Sequence, residues 1–100
     1  IADYMHLGGA NDDAKVALLI KYLRGMNDEL NIPHGINKYG ADGMPAETGF
    51  VPEDIFLARV DEIADNAIAD ACTGSNPRIP NHDEMVALLK ACYYDTEVDF

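Results

Sequence analysis

The sequence has no tryptophan, two cysteines, and seven lysines and arginines against eighteen aspartates and glutamates. Each scarcity excludes something. A formal charge of −11 gives no basis for a counterion-releasing grip on a polyanion, so neither nucleic acid nor an anionic membrane surface is a partner. Cys72 and Cys92 are too few and too far apart for a disulfide framework or a paired-cysteine metal knuckle. They read as two buried thiols in a reducing cytosol. No apolar run is longer than Val16–Ile20, which is flanked by Lys15 and Lys21 and falls far short of the ~20 residues that span a bilayer. No cationic leader precedes an apolar stretch and a small-residue cleavage site. The first residue is Ile1 rather than Met, and the chain reads as cut from something longer.

What is present suffices for a core. With 48% hydrophobic and 25% charged residues, the composition lies in the globular range, away from the disorder signature of low hydrophobicity and high charge. A chain this short makes one small domain and buries roughly two-thirds of its unfolded surface on folding.

Three stretches carry the helical period. Val16, Leu19, Ile20, Leu23, Met26 and Leu30 recur every three or four positions and fall on one stripe of a helix expected over 12–30. Asn11 or Asp12 caps it, Asp12 and Asp13 suit its positive end, and Asn31 is placed to end it in the left-handed region, with Pro33 barring continuation. A second helix is expected over 52–72. Pro52 opens it, Glu53 and Asp54 favour the dipole, and Phe56, Val60, Ile63, Ala67 and Ala71 form its stripe. Ala64, Ile68 and Cys72 widen that stripe, and Gly74 is the expected stop. A third helix is expected over 81–94. Asn81 and Glu84 stand at capping-box spacing, and Met85, Leu88, Leu89 and Cys92 recur at helical intervals.

Between the first two helices, the segment 32–51 holds four glycines and two prolines. A connection of about twenty residues is longer than usual and reads as an ordered excursion rather than a simple turn. Ile1–Leu7 reads as the end of a helix, stopped by Gly8 and Gly9. No useful strand alternation and no internal repeat appears, so the fold class is all-α.

The chemistry-bearing residues are sparse. His6, His34 and His82 each lack a second histidine within four residues, whereas metal sites converge several ligands with one pair at short spacing. The acids beside His82 serve the start of the third helix. A calcium loop with Gly43 at its sixth position puts Lys38 first and Gly40 third, which supplies no ligands there. There is no GxGxxG, phosphate loop or serine elbow. The acidic residues of the second helix, Asp61, Glu62, Asp65 and Asp70, read as a solvated face. One stretch stands out: Cys72-Thr73-Gly74-Ser75-Asn76-Pro77-Arg78. It is either a helix end and turn, with Arg78 reaching back to the last carbonyls of the second helix, or a loop that lines a cleft made with another domain.

The order of features, "NDELNIP" closing a helix, then a loop, then "FLARVDEIADNAIADACTGSNPR", then a short helix ending "LLKACYYDT", resembles the C-terminal end of iron-containing alcohol dehydrogenases. The likeness is greatest to the alcohol dehydrogenase half of bifunctional aldehyde-alcohol dehydrogenases and runs from Ile1 to Tyr94. It implies that the chain is the last part of an all-helical, dehydroquinate synthase-like domain. In that family, NAD and iron sit in the cleft between this domain and a nucleotide-binding one. The metal ligands, an Asp and three His, and the glycine-rich nucleotide loop lie upstream of the matching stretch. The Pro33-His34-Gly35 string falls after the helix end and not at the family's metal histidine, so His34 is not assigned to metal.

The resemblance places the "CTGSNPR" turn on the substrate side of the cleft, with Cys72 as a wall residue of the alcohol or aldehyde pocket. Thr73 and Gly74 share that edge, while Asn76, Pro77 and Arg78 fix the turn. The implied parent interconverts acetaldehyde and ethanol, within a bifunctional enzyme that reduces acetyl-CoA, as a cytoplasmic homo-oligomer. Its partners are the rest of the dehydrogenase and a small alcohol or aldehyde. The chain alone binds no cofactor and is expected to be inactive. The rival reading is a free-standing acidic helical interaction module, although the Asp-Ser pair of a phosphopantetheine carrier is missing.

Overall fold

The computed structural model describes residues 1–39 and 49–100; the middle of the expected excursion, 40–48, lies outside the described residues, and with it Gly40 and Gly43. Among the described residues there are three α-helices and no strand. They are α1 (Asp12–Glu29), α2 (Glu53–Ala69) and α3 (His82–Tyr94), with single 3-10 turns at Ile36–Lys38 and Thr73–Ser75. The chain divides into two units, Ile1–Pro33 and His34–Phe100.

In the first unit, the Asn11 side chain accepts the Ala14 N–H at 2.9 Å and opens α1, with Asp12 and Asp13 in its first turn. Asn31 ends it at φ +55°. Around that residue, the Ile32 N–H reaches the Asn27 carbonyl and the Asn31 N–H the Asp28 carbonyl, the paired bonds of a Schellman stop. The first residues repeat the device, since Leu7 N–H bonds to the Ala2 carbonyl, His6 N–H to the Asp3 carbonyl, and His6 takes φ +54°. Ile1–Leu7 therefore forms a single helical turn with a complete C-terminal stop. Gly9 follows at φ +112°, where an added Cβ would lie 2.8 Å from Lys15 Cγ. Only glycine fits there. Lys15 meets Asp3 at 2.9 Å. No residue of α1 is buried. Its apolar stripe forms on the helix as the periodicity requires, yet Val16 is 55% and Leu30 65% exposed.

The second unit holds the core. Phe56, Val60 and Ala64 are buried on α2, and Met85, Ala91 and Tyr93 on α3. The Tyr93 ring stacks on Phe56 with centroids 4.2 Å apart and planes within 8°. Val86, Leu89, Val51 and Ile36 pack around Phe56, Val60 and Tyr93. The Tyr93 hydroxyl donates to the Val51 carbonyl at 2.8 Å, so a buried phenol is satisfied while it ties the approach of α2 to α3. The neighbouring Tyr94 hydroxyl donates to Glu53 Oε1 at 2.6 Å. Gly35 is buried against the end of α3, where an added Cβ would lie 2.7 Å from the Tyr93 carbonyl. The proline-histidine-glycine string thus serves packing at this glycine, and His34 Nδ1 lies 3.4 Å from Asp95 Oδ2.

Three expectations are corrected. Both cysteines are exposed rather than buried. Cys72 falls beyond the end of α2, and Cys92 lies one position off the Met85, Leu89, Tyr93 row that turns inward. Helix α2 ends at Ala69 with Asp70 extended, so Ala71 and Cys72 do not prolong its stripe. Finally, Gly74 is not the left-handed stop: it lies within the 3-10 turn and is absent from the positive-φ glycines.

Because the Phe56–Tyr93 contact organises this unit, Tyr93→Ala should cost about 3–5 kcal/mol. Tyr93→Phe, which keeps the ring and loses the Val51 bond, should cost about 1 kcal/mol. Urea denaturation followed by far-UV circular dichroism measures both; equal losses would show that the ring is not the principal contact.

Candidate functional site

The candidate site is the turn that links α2 to α3. Its shape follows from side chains that compete with the helix for backbone groups. Asp70 Oδ1 accepts the Cys72 N–H at 2.7 Å, which draws that N–H away from the helical ladder. Thr73 Oγ1 donates to the Ala67 carbonyl at 2.6 Å, satisfying one of the open carbonyls of the helix end. Ser75 Oγ donates to the Cys72 carbonyl at 2.8 Å. The Asn76 side-chain amide donates to the Arg78 carbonyl. Asp70, Thr73, Ser75 and Asn76 are therefore engaged with backbone of the turn itself or of the end of α2. Cys72 and Gly74 are exposed, Thr73 is half-buried, and a Cβ at Gly74 would meet nothing within 4 Å.

Arg78 does not reach back to the end of α2. One guanidinium nitrogen bonds Glu84 Oε1 at 2.7 Å, the other the Phe100 carbonyl at 3.1 Å, and the group lies 5.4 Å from the centre of the Phe100 ring. Glu84, the third residue of α3, closes the capping box: its Oε2 accepts the Asn81 N–H at 3.0 Å while Asn81 Oδ1 accepts the Glu84 N–H at 2.9 Å. The Asn81 backbone bond and then Arg78 hold the Glu84 carboxyl below its ordinary value of 4.5. The arginine and the start of α3 thus share one carboxylate.

His82 has a role that the sequence reading missed. Its Nδ1 lies 2.9 Å from Asp65 Oδ1 and its Nε2 3.2 Å from Asp61 Oδ1. Both acids are on α2. A ring whose two nitrogens each face a carboxylate is satisfied only as the imidazolium. The bond to Asp61, then that to Asp65, raises the His82 pKa above 6.5. The available signal was the i, i+4 spacing of Asp61 and Asp65, which puts two carboxylates on one side of α2. Tyr94 shows a similar effect, as Glu53 as acceptor and then burial push its phenol up to about 12.

The structure brings Cys72, Thr73 and Gly74 together on one turn. Among the described residues, no three His, Cys, Asp or Glu side chains converge where they could hold a metal ion. No helix among them is long and apolar enough to cross a membrane.

Comparison with known proteins decides the family. Residues 1–93 match the family model described as the Fe-containing alcohol dehydrogenase family, C-terminal. The chain belongs to the iron-containing alcohol dehydrogenase family. It is 39% identical over its whole length to an NADPH-dependent butanol dehydrogenase of Clostridium saccharobutylicum, of which it covers 23%. It is 38% identical to an aldehyde-alcohol dehydrogenase of Clostridium acetobutylicum over 93% of the chain, and 36% identical to the bifunctional aldehyde-alcohol dehydrogenase AdhE of Escherichia coli K12 over 94%. It covers 10% of each of those two relatives. The chain thus corresponds to a small share of the length of the relatives it matches. The all-helical fold expected from the residue pattern and the C-terminal position implied by the resemblance both agree with this membership.

The clasp at the start of this dehydrogenase segment's third helix has a defined pH window. The His82 bridge contributes fully below the ordinary value of 6.5 and is lost as pH rises through its raised pKa. The Glu84 bonds contribute above 4.5 and are lost as pH falls through its lowered pKa. Between those two values both are in place. In NMR titration the His82 ring should have its midpoint above 6.5, and His82→Gln should destabilise the chain at pH 6 more than at alkaline pH. A midpoint at or below the ordinary value would contradict the bridge.

Proposed function

We propose that this chain is a wall of the substrate cleft in an iron- and NAD(P)-dependent dehydrogenase that interconverts small aldehydes and alcohols. Cys72 and Gly74 form the edge that meets the substrate, and Thr73 fixes that edge through its bond to the Ala67 carbonyl. One observation carries the reading. Asp70, Thr73 and Ser75 each spend a side-chain oxygen on backbone of the turn or of the last turn of α2, while the Cys72 thiol and the bare Gly74 backbone remain at the surface. An edge of small groups with few free polar atoms suits a short aliphatic substrate.

The residues described here do not fit an iron site. We assign iron and the nicotinamide to the rest of the parent, where they would supply carbonyl polarisation and hydride. No step of that transfer is derived from this chain, whose part is to shape the cleft. The parent is read as a cytoplasmic homo-oligomer of the bifunctional type, reducing acetyl-CoA through acetaldehyde to ethanol. Likeness to aldehyde-alcohol dehydrogenases over 93–94% of the chain supports the bifunctional part of that reading, and likeness to a butanol dehydrogenase over the whole chain supports the alcohol dehydrogenase part alone. The alternative of a free-standing acidic interaction module is not favoured, because residues 1–93 match part of an enzyme family.

The purified 100-residue chain with ferrous iron and NADH should show no acetaldehyde reduction above buffer. In the complete enzyme, Cys72→Leu should lower kcat/KM for butanol relative to ethanol by about tenfold, the effect of a methylene-scale misfit in an apolar pocket. An unchanged ratio would remove Cys72 from the substrate wall.

A further inference from the structure

We propose that Arg78 is a positioning residue for substrate selection, setting the Cys72–Gly74 edge by clasping the turn to the first residues of α3 and to the tail after it. The inference rests on the reading of that edge as substrate wall.

The turn leaves α2 at Asp70 and must come back to α3 at His82. At its far end, three contacts converge on one side chain. Arg78 grips Glu84 Oε1 at 2.7 Å, takes the Phe100 carbonyl at 3.1 Å and lies over the Phe100 ring at 5.4 Å. Its own carbonyl accepts the Asn76 amide, so the backbone that carries the guanidinium is tied to the Asn76-Pro77 corner. Glu84 is in turn immobilised by the capping box. The fork geometry matters: a guanidinium serves two acceptors in fixed directions, whereas an ammonium is a point charge that serves one well. The chain from α3 to the substrate edge therefore runs Asn81, Glu84, Arg78, Asn76 and then Ser75, whose hydroxyl holds the Cys72 carbonyl. A displaced edge changes the fit of the substrate more than it changes the chemistry.

The test uses the complete enzyme with ethanol and butanol as substrates. Arg78→Ala should raise KM for butanol and shift the butanol to ethanol kcat/KM ratio by about tenfold, with kcat for ethanol nearly unchanged. Arg78→Lys should restore part of that ratio. Glu84→Gln should shift it in the same direction, and the double variant Arg78→Ala, Glu84→Gln should add little to either single one. Cys72→Leu is measured alongside. If Cys72→Leu alters the ratio while Arg78→Ala lowers only thermal stability, the positioning role is overturned and the substrate wall stands. If neither variant alters it, the substrate wall fails, and the role of Arg78 with it.

Discussion

The stacked pair of Phe56 and Tyr93 is the contact on which the second unit depends. An aromatic stack of this kind contributes about 0.5–1.5 kcal/mol beyond the apolar area it removes from water. Its leverage here is geometric. Tyr93 sits near the end of α3 and Phe56 near the beginning of α2, so the stack fixes one end of an antiparallel helix pair. The Tyr93 hydroxyl on Val51 and the Tyr94 hydroxyl on Glu53 hold the residues entering α2 at the same end. Gly35 lets its own backbone approach the Tyr93 carbonyl there.

The other end of the pair is held by charge. His82 bridges to Asp61 and Asp65, and Glu84 takes Arg78. These are exposed contacts, and individually such pairs contribute little stability. Their effect is to choose where the turn between α2 and α3 lies. Aromatic packing and ionic clasps thus divide the work: the first sets how strongly the helices associate, and the second sets the path of the segment proposed to face substrate. A turn placed by exposed ion pairs is also tuned by pH and salt more readily than the core beneath it.

Much of this was legible in the sequence because it depends on local chemistry. Asn11, Asn31 and the Asn81–Glu84 box act within three residues of themselves, and all three operate as their residue types require. The family was legible for a different reason, since the "CTGSNPR" string and its neighbours form a long ordered pattern. The misses were contacts between elements. Nothing local marks Tyr93 as a core residue, because one ring at the fading end of a periodic stretch carries no signal of the Phe56 opposite. The acids of α2 looked like a solvated face, and only the fold shows His82 arriving between two of them. Helix α2 ends before Gly74, the stronger stop in the sequence, because the Asp70 carboxylate captures the Cys72 N–H.

The first unit poses the converse problem. Helix α1 has good caps and a regular stripe, yet it buries none of its residues. A helix of this kind draws its stability from tertiary packing of the apolar face rather than from propensity. The account is tested most directly by hydrogen exchange on the 100-residue chain. It predicts strong protection of amides in α2 and α3 and weak protection in α1. Protection of α1 equal to that of α3 would contradict the claim that the aromatic-anchored helix pair is the stable element of this chain.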